Sequence, residues 1–309
     1  MRMSLPVDGP SNAKASWWSR AGGRRVRALR RLYRRSDWII RASFVLALLI
    51  FLLAVLTPWI APFDPDAQSL LARLRPPVGF DEADTARPLG TDQLGRDMLS
   101  RCLYGVRLTL GIAAIGVVIG LVVGTTLGLV SGFFGGVVDD LVMGVVDVQI
   151  AVPFTLIALL AVAVFGTSMT VLVAVLGAYG WEKYARLIRG QVLAVRNLPY
   201  VEAARAAGAS TRRTVLVHIL PNIASPVIVM MTLTFSEIIL LESSLSFLGL
   251  GVQPPTATLG SMVGQGRDYM ASSPWIVASP ALLIMFVALV VLLLGGWLRD
   301  VLDVKLRNN

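Results

Sequence analysis

The chain has 309 residues, 55% of them hydrophobic and only 15% charged, with a mean hydropathy of +0.71. A soluble domain holds nearer a quarter charged residues, so this composition is that of a multi-span membrane protein. A net charge of +9 admits nucleic acid as a partner, but one cysteine (Cys102) excludes an internal disulfide or cysteine cluster, and one histidine (His218) excludes a multi-histidine metal site.

Residues 1–37 are a polar arm ending in RRVRALRRLYRR. Its first part is predicted to be disordered. Its basic part suits a short amphipathic helix on anionic headgroups better than a nucleic-acid arm, because an apolar run follows at once. No cleavable signal is expected, since that run starts only near Trp38.

Trp38–Ile60 is the first expected span, long enough for about 30 Å of hydrocarbon and ended by Trp38 and Trp59 at the two interfaces. Residues 61–105 form a proline-rich polar loop with seven acids and five arginines. Within it Asp92, Arg96, Asp97 and Arg101 cluster; the i,i+4 spacing of Asp97 and Arg101 points to local capping and ion pairing rather than to a calcium or binding-protein site. The second span is 106–133, where Gly116, Gly120, Gly124, Gly128 and Gly132 recur every four residues along one ridge. Small residues at that spacing let a second helix approach backbone to backbone.

A third span, 141–165, is interrupted by Asp147, Gln149 and Pro153; a short fourth follows at 170–181. Residues 182–222 form a polar loop, 223–245 a fifth span and 276–298 a sixth. If both termini are cytoplasmic, 20 of the 28 Lys and Arg lie in 1–37, 182–222 and 299–309, against six in 61–105 and 246–275. The positive-inside bias therefore puts both termini in the cytoplasm and explains the basic charge without nucleic acid.

The polar loop contains VEAARAAGASTRRTVLVHILPN at 201–222. Pro199 suits a first helical position and Glu202 the first turn. Ala203, Ala204, Ala206 and Ala207 favour a helix with little side-chain bulk, and Gly208 suits a left-handed stop. Ser210 can cap a second helix that Pro221 is expected to break. Such a small-faced helix is either a docking surface for another protein or an ordinary helical hairpin. Acids within spans are costly, so Asp147, Glu237 and Glu242 are candidates either for a hydrated translocation path that passes peptide termini or for structural bonding near Pro153 and Pro226. No G-x-x-x-x-G-K-[ST] motif and no hydrolase signature is present, so the chain is expected to do no chemistry of its own, to bind no nucleotide by a P-loop and to hold no metal.

Glu202-Ala203-Ala204, three residues, Gly208, then Leu220-Pro221 resembles the EAA loop of ABC-importer membrane subunits. His218 stands where that family usually has isoleucine, a departure typical of the dipeptide/oligopeptide branch. LGTDQLGRDMLSR (89–101), VVDVQIAVP (145–153) and LLESSLSFLGLGVQPP (240–255) resemble the second, C-type permease of dipeptide and oligopeptide importers. The resemblance covers about 38–300 and none of the basic arm. It implies an all-α membrane protein of about six transmembrane helices, with the type I ABC-importer permease fold: a core at 106–298 and a cytoplasmic coupling helix in 182–222. It also implies coupling roles for Glu202, Ala203, Ala204, Arg205, Gly208, Leu220 and Pro221. The expected assembly holds a second homologous permease, two ATPases that bind ATP and Mg, and an extracytoplasmic binding protein. The setting is the cytoplasmic (inner) membrane of a prokaryote. Di- and oligopeptides are the expected cargo, with nickel chelates, glutathione or opines as the alternative.

Overall fold

A computed structural model describes residues 38–307, with side chains to Val301, so the basic arm 1–37 lies outside the described residues. Among these the secondary structure is helical, apart from one isolated bridge between Thr91 and Asp97. Helix α1 is Trp38–Ile60, the segment expected from its apolar run. Leu48, Phe51, Leu52 and Val55 are exposed along it, as on a surface solvated by lipid tails rather than water.

Helix α2, Met98–Phe134, is 37 residues and about 55 Å long at 1.5 Å per residue, well beyond one hydrocarbon thickness. It starts eight residues before the expected span because the Asp97 side chain caps it, accepting from the Ser100 N–H at 2.8 Å. The preceding turn is buried. Asp92 accepts from the Leu94 and Arg96 N–H groups at 2.8 and 2.9 Å and from Arg96 Nε at 2.6 Å. Arg101 pairs with Asp92 (3.5 Å), not with Asp97 as its helical spacing suggested; the Asp97 carboxylate caps the helix through Oδ2. At Gly95 (φ +72°) a Cβ would lie 1.9 Å from the Ser69 carbonyl oxygen, so no larger residue fits this turn.

Helices α3 (Gly136–Ala151) and α4 (Phe154–Phe165) meet at 88° across Val152-Pro153, where proline removes a backbone donor. The next segment differs from expectation. The predicted span at 170–181 is a nine-residue helix, α5 (Met169–Gly177), about 14 Å long. After a break at 178–180, with Gly180 left-handed at φ +84°, the chain continues into α6, Trp181–Val195. Residues 182–195, expected to open a polar loop, thus lie inside the helical bundle. Among the described residues four single helices are long and apolar enough to cross a membrane, and the bent pair α3–α4 makes a fifth if it is one broken span.

Helix α6 runs beside the glycine ridge of α2. A Cβ at Gly120 would come within 3.0 Å of the Tyr179 carbonyl oxygen, at Gly124 within 2.3 Å of that of Trp181, and at Gly128 within 2.6 Å of that of Ala185. At Gly132 it would meet Val192 Cβ at 2.8 Å; at Gly116 it would meet Ile238 Cδ1 at 3.3 Å. Backbone thus lies on backbone for four turns.

Pro199–Ala206 is α7. The run Thr211–Phe247, α8, is one 37-residue helical stretch that absorbs Pro221 instead of ending at it. A π-helical turn at Thr214–Ile219 precedes the proline, which falls in the first turn of regular α-helix, where its missing N–H costs little. Helix α9 (Leu259–Gly266) packs on the far end of α8, and α10 (Trp275–Arg307) runs back along α8, α1 and α2.

Candidate functional site

Helix α7 starts with Pro199 at its first turn and ends in a Schellman motif. The Ala209 N–H donates to the Ala204 carbonyl (3.0 Å) and the Gly208 N–H to that of Arg205 (2.9 Å), with Gly208 at φ +82°. Space around Gly208 is open, so the left-handed backbone, not crowding, selects glycine. Ser210 Oγ then accepts from the Arg213 N–H at 3.4 Å and starts α8.

Val201 is fully buried and anchors α7. Arg205 places its guanidinium 5.0 Å from the Phe133 ring centroid at the end of α2, a cation–π contact. Glu202, Ala203, Arg205 and Gly208 are exposed and Ala204 is half-buried, which leaves a low, nearly bulk-free ridge facing outward. Leu220 is half-buried and Pro221 exposed; their neighbours Ile219 and Ile223 are buried against Tyr184, Ile188 and Val192 of α6. The ridge is therefore joined through the foot of α8 to α6, and through α6 to the glycine face of α2.

Charged groups that the sequence did not single out hold this end together. Arg196 donates to the carbonyls of Gly132 (2.8 Å) and Phe133 (3.4 Å), capping α2. Arg189 grips Asp139 of α3 through two bonds of 2.5 and 2.6 Å, and Ser131 donates to the same carboxylate. The signal was present: Lys183, Arg186 and Arg189 recur every three residues, one turn apart on a helix.

The three acids in the spans have different surroundings. Asp147 accepts from Arg186 at 2.5 Å. Glu237 accepts from Lys183 (2.6 Å) and from the Tyr179 hydroxyl (3.2 Å). Glu242 is fully buried, accepting from Ser246 Oγ (2.7 Å) and Thr109 Oγ1 (3.3 Å). Thr109 Oγ1 also accepts from the Leu259 N–H at 3.3 Å, so Glu242 sits in a knot joining α8, α2 and α9. The described residues hold no cluster of three or more His, Cys, Asp or Glu suited to a metal.

Residues 124–308 match the family of binding-protein-dependent transport system inner membrane components, and residues 26–77 match the N-terminal transmembrane domain of oligopeptide transport permease C. A di/tripeptide transport system permease protein of Pseudomonas aeruginosa (strain UCBPP-PA14) is 42% identical over 261 residues, 84% of this chain and 86% of its own length. Dipeptide transport system permease proteins of Escherichia coli (strain K12) and Haemophilus influenzae (strain ATCC 51907 / DSM 11121 / KW20 / Rd) are 42% and 38% identical, each covering 86% of this chain and 89% and 90% of their own lengths. Among solved structures, the MetNI methionine ABC transporter in an inward-facing conformation aligns with a TM-score of 0.51 at 19% identity, over 66% of this chain and 97% of that one, a likeness of fold. A bundle of several apolar helices, an outward-facing EAA ridge fixed to its end and close relatives across most of its length place this chain in the family of binding-protein-dependent transport system inner membrane components, the multi-pass permease subunits of ABC importers.

Proposed function

We propose that this chain is the peptide-translocating permease of its importer, with α7 as the element that receives the stroke of a partner ATPase. The observation that carries the mechanism is the attachment of α7: Val201 is buried, Arg205 lies on Phe133, and the next 37 residues are one helical stretch. A push on the Glu202–Gly208 ridge therefore has a rigid route into the bundle. Identity of 38–42% to permeases named for dipeptide and di/tripeptide transport supports peptides as the cargo.

In this reading α7 faces the cytoplasm, as the distribution of Lys and Arg favours, and both termini share that side. The broken pair α5–α6 makes the sixth crossing, its cations Lys183, Arg186 and Arg189 tolerated because each is matched by an acid of a neighbouring helix. A second homologous permease completes the membrane unit, two ATPases supply the ATP and Mg sites, and an extracytoplasmic binding protein delivers peptide. ATP-driven closure of the ATPases draws the two α7 ridges together and rocks the bundles outward.

The test uses the complete complex in proteoliposomes. Glu202→Lys and Gly208→Val are expected to insert and assemble normally, to keep ATP hydrolysis and to lose most dipeptide uptake. Normal uptake by both variants at normal expression overturns the coupling role of α7.

A further inference from the structure

The two partly exposed ion pairs on α6 lie at a depth where charge is out of place. Ser236 Oγ donates to the Ala288 carbonyl at 3.2 Å, and Ala288 is the midpoint of the apolar stretch Trp275–Val301. Ile238 meets Gly116, the midpoint of α2. Glu237, between Ser236 and Ile238, is therefore halfway through the bundle. Lys183 bonds it at 2.6 Å, and the Tyr179 hydroxyl donates to it while accepting from Lys183 at 3.0 Å. One turn along α6 towards the α7 end, Arg186 bonds Asp147.

These pairs are not sealed. Side-chain exposure is 33% and 45% for Lys183 and Glu237, and 53% and 67% for Arg186 and Asp147, whereas Glu242 on the same helix as Glu237 is fully buried. Exposed charge at mid-depth is too costly against hydrocarbon, so this face meets water or a partner rather than lipid. The break at 178–180 brings the Tyr179 hydroxyl to this place, with Phe154 of α4 packed edge-on to its ring at 4.9 Å.

We infer that the Tyr179–Lys183–Glu237 group, with the Arg186–Asp147 pair one turn away, is a mid-membrane subsite for zwitterions. The Glu237 carboxylate takes the α-ammonium of a passing peptide; Lys183 or Arg186 takes its α-carboxylate. The inference rests on the peptide reading above. Its chemical logic is exchange. An exposed ion pair opens onto a ligand of both charges without leaving any charge unmatched, and closes behind it. A ligand with a blocked terminus strands one side chain, which makes the pairs a filter as well as a path. The planar fork of Arg186 suits a carboxylate in particular.

The experiment uses the full complex with Leu240→Cys, Glu237→Gln and Lys183→Gln. The one cysteine of this chain, Cys102, is buried, and the wild-type complex labelled in parallel gives the background. In inside-out vesicles a charged thiol reagent should modify Leu240→Cys, which is exposed one turn along α8 from Glu237, and millimolar free dipeptide should slow that reaction about tenfold while the N-acetylated dipeptide amide should not. In proteoliposomes Glu237→Gln and Lys183→Gln should each lower dipeptide uptake about tenfold with ATP hydrolysis retained. Absence of thiol reaction, equal protection by both peptides, or unchanged uptake overturns the subsite. A wild-type complex that imports no dipeptide overturns the peptide reading and removes the subsite with it.

Discussion

Gly124→Ala adds one methyl group at the tightest point of the α2–α6 seam. That carbon would stand 2.3 Å from the Trp181 carbonyl oxygen and 2.6 Å from Tyr184 Cβ, where ordinary carbon–oxygen contact is about 3.3 Å. The oxygen belongs to helix backbone and cannot rotate away, so the two helices must separate by about 1 Å. Overpacking of this kind costs about 1–3 kcal/mol. Gly111→Ala on the same helix is the control, because no atom lies within 4 Å of its would-be Cβ. There the gain in helix propensity is about 0.5–1 kcal/mol. The same substitution thirteen residues apart should therefore act with opposite sign, the two differing by about 1.5–4 kcal/mol. Heating the purified permease in detergent and following loss of the monodisperse peak by size exclusion reads this directly. Gly124→Ala should aggregate several degrees below wild type, and Gly111→Ala at or above it. Indistinguishable melting of the two variants would refute the close packing of α6 on the glycine ridge.

Other expectations follow from the buried polar groups. Asp92→Asn removes the carboxylate shared by Arg96 and Arg101, leaving two buried guanidinium groups without it; a loss of about 3–5 kcal/mol should appear as proteolysis of the 61–97 segment. Glu242→Leu strips the acceptor from Ser246 and Thr109 at the α8–α2–α9 junction and should lower thermal stability by about 1–3 kcal/mol, with Glu242→Gln retaining most of it. Gly208→Val imposes a left-handed backbone on a branched residue at a cost of about 1–2 kcal/mol, so its permease should still fold and be recovered from membranes in near-normal amount while transport fails.

Much of the architecture is legible along the chain because local chemistry decides it. The apolar run Trp38–Ile60 is α1, and Pro199, Gly208 and Ser210 start, stop and restart helices at the positions their backbone preferences dictate. The five glycines are visible as a ridge, but their partner is not. Helix α6 holds Glu182, Lys183, Arg186 and Arg189, and summed hydropathy counts those charges in full. In the fold three of them are cancelled by Glu237, Asp147 and Asp139, which stand 39 to 54 positions away in the chain. A scan of hydropathy sees charge but not pairing, so it places α6 in a loop. Pro221 failed for a related reason. A proline announces a missing hydrogen bond, yet whether the helix ends or re-registers depends on what clamps its two sides. Here Ile219 and Ile223 are both held against α6. Asp97 and Arg101 show the limit of spacing rules: the i,i+4 spacing allows the pair, but the Arg101 guanidinium lies against Asp92 while Asp97 caps the helix.

In the proposed coupling, the continuous run of α8 acts as a lever. Its 37 residues span about 55 Å, so a tilt of about 5° at its foot displaces its tip by about 5 Å. That tip holds Glu242 and the α9 junction, at the opposite end of the molecule from α7. On the coupling proposed above, a small movement at α7 becomes at the other end a displacement of about the width of one extended chain. The π turn at Thr214–Ile219 sits at the fulcrum, where one residue more or less of winding resets the angle of the whole arm.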